Sequence, residues 1–356
     1  MKVNFRKVLQ YTISLGIAFG LLLYLFKGFN FSVIVKVFKE ADYKWVVLSV
    51  IIGIISHLLR AYRWIILLKP MGYSPTLYKS FLAVMSGYFI NLVIPRGGEV
   101  ARSGLLQKMD DVPATKAFGT IVMERIIDVL ILGILMLVLL AVEVDQITSI
   151  LTNSMSSKFT GLQDKLYLLA LAGGIFIALV VATFFAFRKR IQESFLYTKI
   201  LGLLKKVLEG VSSILKVKNQ GAFWFHTVGI WVMYYFMAYV LFQCFPLTAS
   251  LSPWVGFSIL VIGALGMAAP VQGGLGAYHF LITPVLVFYL QAQNPSKDEV
   301  LGIVTFMHAA QSLVTIVIGG IAVGLSSAMS RKKQENASDM ISAEEKDTTE
   351  NVKAVS

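Results

Sequence analysis

The chain alternates between long uncharged apolar runs and short stretches that carry most of its charges. Residues 8–26, 45–68, 117–140, 166–187, 223–245 and 300–325 each supply roughly the 20 mostly apolar residues a helix needs to cross a bilayer. Two further pairs of runs are too short or too polar to cross: 77–90 with the stretch after Pro95, and 254–269 with the piece ending near Leu290. The first run follows Lys2, Arg6 and Lys7, exceeds a signal-peptide core in length and leads into Lys27-Gly28-Phe29-Asn30, so it reads as an uncleaved helix. Residues 31–39 are short and amphipathic, as a segment lying in the interface is. In the connector 190–218, Leu196, Ile200, Leu203, Val207, Val211 and Ile214 recur at helical spacing opposite Lys199, Lys205 and Lys206, a basic amphipathic helix.

The two short pairs are organised around matching interruptions. Pro95-Arg96-Gly97-Gly98-Glu99-Val100-Ala101 and Pro270-Val271-Gln272-Gly273-Gly274-Leu275-Gly276-Ala277 share a proline, a glycine pair and an alanine beyond it. Broken backbone at bilayer depth is tolerated only where protein or a water-filled cavity satisfies its N–H and C=O groups. Each pair is therefore expected to turn back as a re-entrant hairpin. Lys and Arg positions set the direction. If 77–90 turns back, Lys69, Lys79, Arg102, Lys108, Lys116, the basic segment from Arg188 to Lys218 and Arg331-Lys332-Lys333 share the cytoplasmic side with the N-terminus. A crossing would put the segment from Arg188 to Lys218 outside, whereas Lys27, Lys36, Lys39 and Lys44 are outside either way, beside Glu40 and Asp42. The predicted fold is an all-α polytopic membrane protein with about six full spans plus two re-entrant helical hairpins and both termini cytoplasmic. A first unit near 45–142 and an oppositely inserted copy near 221–326 form an inverted-topology repeat, the architecture of many secondary transporters. Residues 1–330 make up the transmembrane domain, and 331–356 read as a disordered polar cytoplasmic tail.

Composition supports the same class. Hydrophobic residues make up 56% and charged residues only 15%, with a mean hydropathy of +0.73, more apolar surface than a water-soluble fold can bury. The net charge of +12 sits mostly between apolar runs, where it orients the protein and meets anionic inner-leaflet lipids, above all along 188–218. It carries no nucleic-acid signal. The single cysteine, Cys244, lies in an apolar run and forms no intramolecular disulfide. His57, His226, His279 and His308 lack metal-ligand spacing and read as packing residues, His279 beside the second break being the one to test. No cofactor is expected.

The candidate chemistry lies where charge meets apolar sequence. Arg60, Arg63, Arg96 and Arg102 offer planar donor forks suited to a lipid phosphate. Arg63 and, deeper in the helix, Arg60 have the alternative of snorkelling to the interface. Gly97, Gly98, Gly273 and Gly274 let backbone approach a ligand closely, and helix N-termini at the breaks favour an anion; their alternative role is packing. Glu99, Glu124, Arg125 and Asp128 form either a buried ion-pair cluster, with Arg125 paired to Glu99 or Asp128, or a site for a cationic headgroup or coupling proton. The second break carries only Gln272, Tyr278 and His279 as polar groups, so headgroup recognition is expected to be dominated by the first.

Arg60-x-x-Arg63-Trp64, Asn91 through Pro95-Arg96-Gly97-Gly98-Glu99-x-x-Arg102, Glu124-Arg125-x-x-Asp128 and the Pro270…Gly273-Gly274-Leu275-Gly276 turn together resemble the transmembrane region of lysylphosphatidylglycerol synthases, a flippase-like family. The resemblance covers roughly residues 1–330 and is that of a stand-alone member without the aminoacyl-transferase half. It implies two hairpins meeting in the membrane and movement of a phospholipid or lipid-linked headgroup between leaflets. It also leaves room for a homo-oligomer and for a separate synthase as partners. Many relatives have an acidic residue where this chain has His279, so a carboxylate role does not carry over. The sequence shows no catalytic constellation, and the competing readings are a membrane-embedded lipid-linked glycosyl or headgroup transferase and a small-solute secondary transporter.

Overall fold

A computed structural model describes residues 16, 20, 31–94, 96–156, 217 and 219–355. The predicted runs 8–26 and 166–187, the connector 190–218 and Pro95 lie outside the described residues, apart from Gly16, Gly20 and Val217. The chain divides into two compact units, Met1–Arg125 with Val217–Ser356, and Ile126–Lys216. Of the second, the described part continues one helix from the first, with a break in helical geometry at Glu143 (φ −117°, ψ 24°).

The helices are α1 (Phe31–Glu40), α2 (Tyr43–Leu68), α3 (Leu77–Val93), α4 (Gly98–Asp110), α5 (Ala114–Ser156), α6 (Gln220–Tyr239), α7 (Pro253–Ala268), α8 (Ala277–Tyr289) and α9 (Lys297–Val355). Among the described residues, four stretches are long and apolar enough to cross a membrane: Tyr43–Met71, Ala114–Glu143, Gln220–Cys244 and Lys297–Asn336. They coincide with four of the predicted spans. Helix starts follow local chemistry. The Asp42 carboxylate accepts from Lys44 N–H (3.1 Å), the Thr76 hydroxyl from Lys79 N–H (3.3 Å), and α7 opens on Pro253 after Ser252.

Within the first unit, α2 and α6 pack antiparallel. Asp42 N–H donates to Cys244 carbonyl oxygen (3.0 Å) at one end, the Ser49 hydroxyl to Met237 carbonyl oxygen (2.8 Å) further along, and Tyr62 stacks on His226 at 4.6 Å towards the other end. Helices α3 and α4 form an antiparallel pair, held at the base by Lys79 and Asp110 (2.5 Å) and pressed together near the tip, where Gly87 and Gly98 touch backbone to backbone. Helices α7 and α8 form a second pair. The Ser258 and Tyr289 hydroxyls meet at 3.3 Å near its base, and Gly266 packs on the Tyr278 backbone near its tip.

The two pairs approach from opposite ends of the unit. The base of the first lies beside Lys333, which pairs with Asp111, and beside Lys116, whose Nζ reaches the Tyr73 hydroxyl at 3.3 Å. The base of the second lies near Tyr235, whose hydroxyl donates to Pro253 carbonyl oxygen (3.0 Å), at the end where α1 packs through Val37 on Gly302 and Phe38 on Phe306. The tips meet in between, with the Leu92 side chain against Gly273. Gly273 sits at φ +55°, where a side chain is strained, and a Cβ there would fall 2.6 Å from a Leu92 methyl, which would have to move aside. At 17, 13, 16 and 13 residues, α3, α4, α7 and α8 are each about 20–26 Å long, short of a hydrocarbon layer of about 30 Å.

One predicted boundary differs. Helix α9 continues past Arg331 to Val355 through the tail for which the sequence predicts disorder. Arg331 pairs with Glu335 one turn on (2.8 Å) and Lys333 with Asp111, and a tail containing Ala, Glu, Lys and Met extends a helix that packing has already nucleated.

The backbone contact between Gly87 and Gly98 generates a test. Gly98→Ala places a methyl group on the Gly87 carbonyl and is expected to destabilise the protein by roughly 1–3 kcal/mol, as overpacking does. Gly104→Ala, on the same helix with open space around it, is expected to be neutral or slightly stabilising. Thermal unfolding in detergent checks both, and equal behaviour of the two variants would refute the close-packed tip.

Candidate functional site

The polar centre of the first unit is built on three elements: the second half of α2, the α3–α4 pair and the opening turns of α5. Trp64, fully buried on α2, donates its indole N–H to the Thr120 hydroxyl (2.8 Å), which fixes α2 against α5. The Arg102 guanidinium lies flat on the Trp64 ring, 3.7 Å from its centroid, and its Nη1 donates to Glu124 Oε2 at 2.7 Å. Arg63 Nε lies 3.6 Å from Glu124 Oε1. Glu124 and Arg63 are wholly buried and Arg102 is 4% exposed. One carboxylate therefore holds two guanidinium groups from different helices, with the stacked indole adding a cation–π contact.

A narrow crevice adjoins this cluster, lined by Gly87, Tyr88, Asn91, Gly98, Glu99, Arg102 and Arg125, among others. Asn91 closes the turn between α3 and α4 by accepting the Gly98 N–H at 2.7 Å, occupying a donor that the first turn of α4 would otherwise leave open. Glu99 sits in that turn and pairs with Arg125 Nη2 at 3.5 Å, so the sequence alternatives for Arg125 include the contact found. His57 meets the Tyr88 ring at 4.9 Å. The Nε and Nη2 of Arg102 are buried and have no hydrogen-bond acceptor among the described residues.

Other predicted residues go elsewhere. Arg60 and Arg63 share a helix face in sequence but meet different neighbours, Arg60 donating to the Tyr234 hydroxyl of α6 through Nε (3.3 Å) and Nη2 (3.1 Å). Buried at 3% exposure, Arg60 does not snorkel, and neither does Arg63. Arg96 is exposed on a left-handed turn (φ +59°) and is not part of the crevice lining. Gly97 packs against Ile94 and Gly98 against Gly87. Asp128 belongs to the second unit. Gly273 and Gly274 make the second tip with positive φ, beside buried Gln272.

Tyr278 and His279, each 2% exposed, meet a residue that sequence reasoning set aside as packing, His308 of α9. Its Nε2 donates to the Gly273 carbonyl oxygen at 2.9 Å. Nothing in the sequence signals this meeting, because it depends on the register of α9 against α8. Tyr234 and Tyr88 were missed for the same reason.

Removing the shared carboxylate while keeping the guanidinium groups tests the cluster. Glu124→Leu is expected to destabilise the protein by about 3–5 kcal/mol, the scale of breaking a buried ion pair from one side. Glu124→Leu combined with Arg102→Leu is expected to recover part of that loss. Detergent unfolding reads both, and an additive double variant would show that the two residues are not coupled.

Residues 11–320 match the family profile described as the lysylphosphatidylglycerol synthase transmembrane region. Over 125 residues the chain is 34% identical to the UPF0104 membrane protein MJ1595 of Methanocaldococcus jannaschii, covering 34% of this chain and 37% of that protein. It is 23% identical over 225 residues to the UPF0104 membrane protein PH1989 of Pyrococcus horikoshii, covering 58% and 65%. It is also 23% identical over 322 residues to the glycosyltransferase AglD of Haloferax volcanii, covering 83% of this chain and 51% of that protein. The matched stretches thus span between 37% and 65% of the relatives' own lengths. No solved structure matches. With nearly the whole chain matched and long apolar helices throughout, this is a multi-pass membrane protein that belongs to the lysylphosphatidylglycerol synthase transmembrane-region family.

Proposed function

We propose that the protein moves a phospholipid or lipid-linked headgroup between leaflets, the headgroup entering the polar crevice of the first hairpin while the acyl chains stay in the bilayer. The observation that carries this reading is the pair of open donors on buried Arg102. Its Nη1 is held by Glu124 and its plane by Trp64, so Nε and Nη2 are presented as the fixed fork that binds two phosphate oxygens. Charged groups inside a membrane are costly, and their retention points to a substrate path.

The two helix pairs act as re-entrant hairpins of an inverted repeat. Their arms are short, they approach from opposite ends, and the end holding Lys79, Lys116 and Lys333 faces the cytoplasm under the positive-inside rule. Only about 10 Å3 of the crevice is open to a water-sized sphere, room for about one water and none for a lipid headgroup. A headgroup therefore enters only when the hairpin tips part, and the Leu92–Gly273 contact is the place to separate. A glycosyltransferase among the relatives keeps a second reading in view, transfer of a lipid-linked sugar.

Reconstitution into liposomes with a headgroup-labelled lipid tests the proposal. The protein is expected to accelerate leaflet exchange, and Arg102→Gln to slow it by about 10–100-fold, the effect of losing a hydrogen bond to a charged group worth about 1.5–3 kcal/mol. Arg96→Ala is expected to exchange at the wild-type rate. Exchange no faster than in empty liposomes, or a larger loss at Arg96 than at Arg102, overturns the reading. Product formed from a labelled sugar donor in place of exchange supports the transferase.

A further inference from the structure

The tip of the second hairpin is held by a cluster of neutral rings. His308 Nε2 donates to the Gly273 carbonyl oxygen at 2.9 Å, and because that oxygen can only accept, the neutral ring carries its lone pair on Nδ1. The Tyr278 ring stacks on His308 at 5.1 Å, and His279 meets it edge-on at 5.0 Å. His279 is 2% exposed, and its Nδ1 has no hydrogen-bond partner among the described residues. Helices α8 and α9 thus each bring one buried imidazole to the same point, directly behind a backbone turn in which Gly273, Gly274 and Gly276 all have positive φ.

We infer that His279 and His308 together form a proton-binding site whose occupancy opens the second hairpin tip and so couples proton movement to transport. The surroundings give the reason. Among the described residues no carboxylate, Lys or Arg acts on either imidazole, and the groups around Tyr278 and the glycine turn are uncharged: Gly263, Gly266 and Met267 from α7, Gln311 from α9, and Leu92 from α3. No carboxylate is there to balance an imidazolium, and a charge in such a setting requires either a partner or water. The closed tip supplies neither. Separation of Leu92 from Gly273 would admit water to the pair, so the protonated form selects the open tip and the neutral form the closed one.

The proton adds to an imidazole lone pair when the tip opens and leaves from the same nitrogen as water is expelled on closing. No other bond changes. Two imidazolium groups at this separation repel, so the pair holds one proton at a time. At the first hairpin the buried Glu124 is by contrast already held by Arg63 and Arg102.

The inference rests on the translocation reading but is measured apart from it. Hydrogen–deuterium exchange of the peptide spanning Val271–Gly276, in lipid nanodiscs and corrected for the intrinsic pH dependence of exchange, reports tip opening without any transport. Between about pH 7.5 and about pH 5.5 the wild-type tip is expected to open progressively more often, by up to about tenfold per pH unit, the limit for one linked proton. His308→Gln, which retains an N–H donor for Gly273, and His279→Gln are both expected to flatten that dependence while keeping the protein monodisperse. A wild-type tip whose opening ignores pH overturns the site, as does a pH dependence that survives in both variants. Lipid exchange that runs normally with no pH response sinks the proton site alone. A pH-dependent tip with no lipid exchange at any pH sinks translocation and leaves a proton-gated hairpin.

Discussion

A carboxylate with no solvent exposure, Glu124, holds two guanidinium groups at once, and the arrangement of the first hairpin depends on it. It lies ten residues into α5, about 15 Å along the helix from Ala114, where an unpaired charge would cost several kcal/mol. Each arginine comes from a different element, Arg63 from the long α2 and Arg102 from the short α4, so satisfying Glu124 fixes the hairpin arm between two spans. The stacked Trp64 removes the remaining freedom of the Arg102 plane. The position of a short, weakly apolar helix is thereby set by charge as well as by hydrophobic burial. That distinction matters in a membrane, where lipid competes with apolar packing but offers no substitute for an ion pair.

Close backbone contact is the second constraint. A tight α3–α4 pair exists because Gly87 and Gly98 allow two helices to approach to backbone distance, and Gly266 does the same for α7–α8 against Tyr278. The Gly-Gly pairs therefore serve packing and turning together. In the first break one glycine packs against the facing helix, whereas in the second both adopt positive φ and form the turn that meets Leu92. Of the two readings that sequence offered for these residues, approach to a ligand and packing, the contacts seen are those of packing.

Much of the fold was legible because membrane helices announce themselves by length and hydropathy, and because breaks inside apolar runs are conspicuous. The described spans fall where the runs put them, and the two short pairs are helix–turn–helix units with tips at Pro-x-Gly-Gly and its counterpart. One of the two pairings that sequence offered for Arg125, that with Glu99, is the contact found, and Asn91 and Gly98 meet within the first break. What could not be read was register between distant helices. Arg60 and Arg63 looked like a pair and serve different partners, Arg96 looked like part of the phosphate grip and stands apart, and His308 looked like packing and latches the second tip. A sequence shows which face of a helix is polar but not which neighbour that face meets.

The chemical difference between the two breaks follows from those neighbours. The first is packed by α2 and α5, which bring Arg63, Glu124 and Arg125 to it; the second is packed by α9, which brings His308, and has glycines in its own arm α7. The two helix pairs thus differ in chemistry at their tips, one ion-paired and one built from phenol and imidazole rings. This asymmetry has an energetic consequence for any cycle in which the halves exchange roles. Under the proposed cycle, opening the first tip would hydrate groups already engaged in ion pairs, whereas opening the second would hydrate two imidazoles that can take up a proton once water reaches them. The two openings of such a cycle would therefore differ in free energy, because each would hydrate different chemistry.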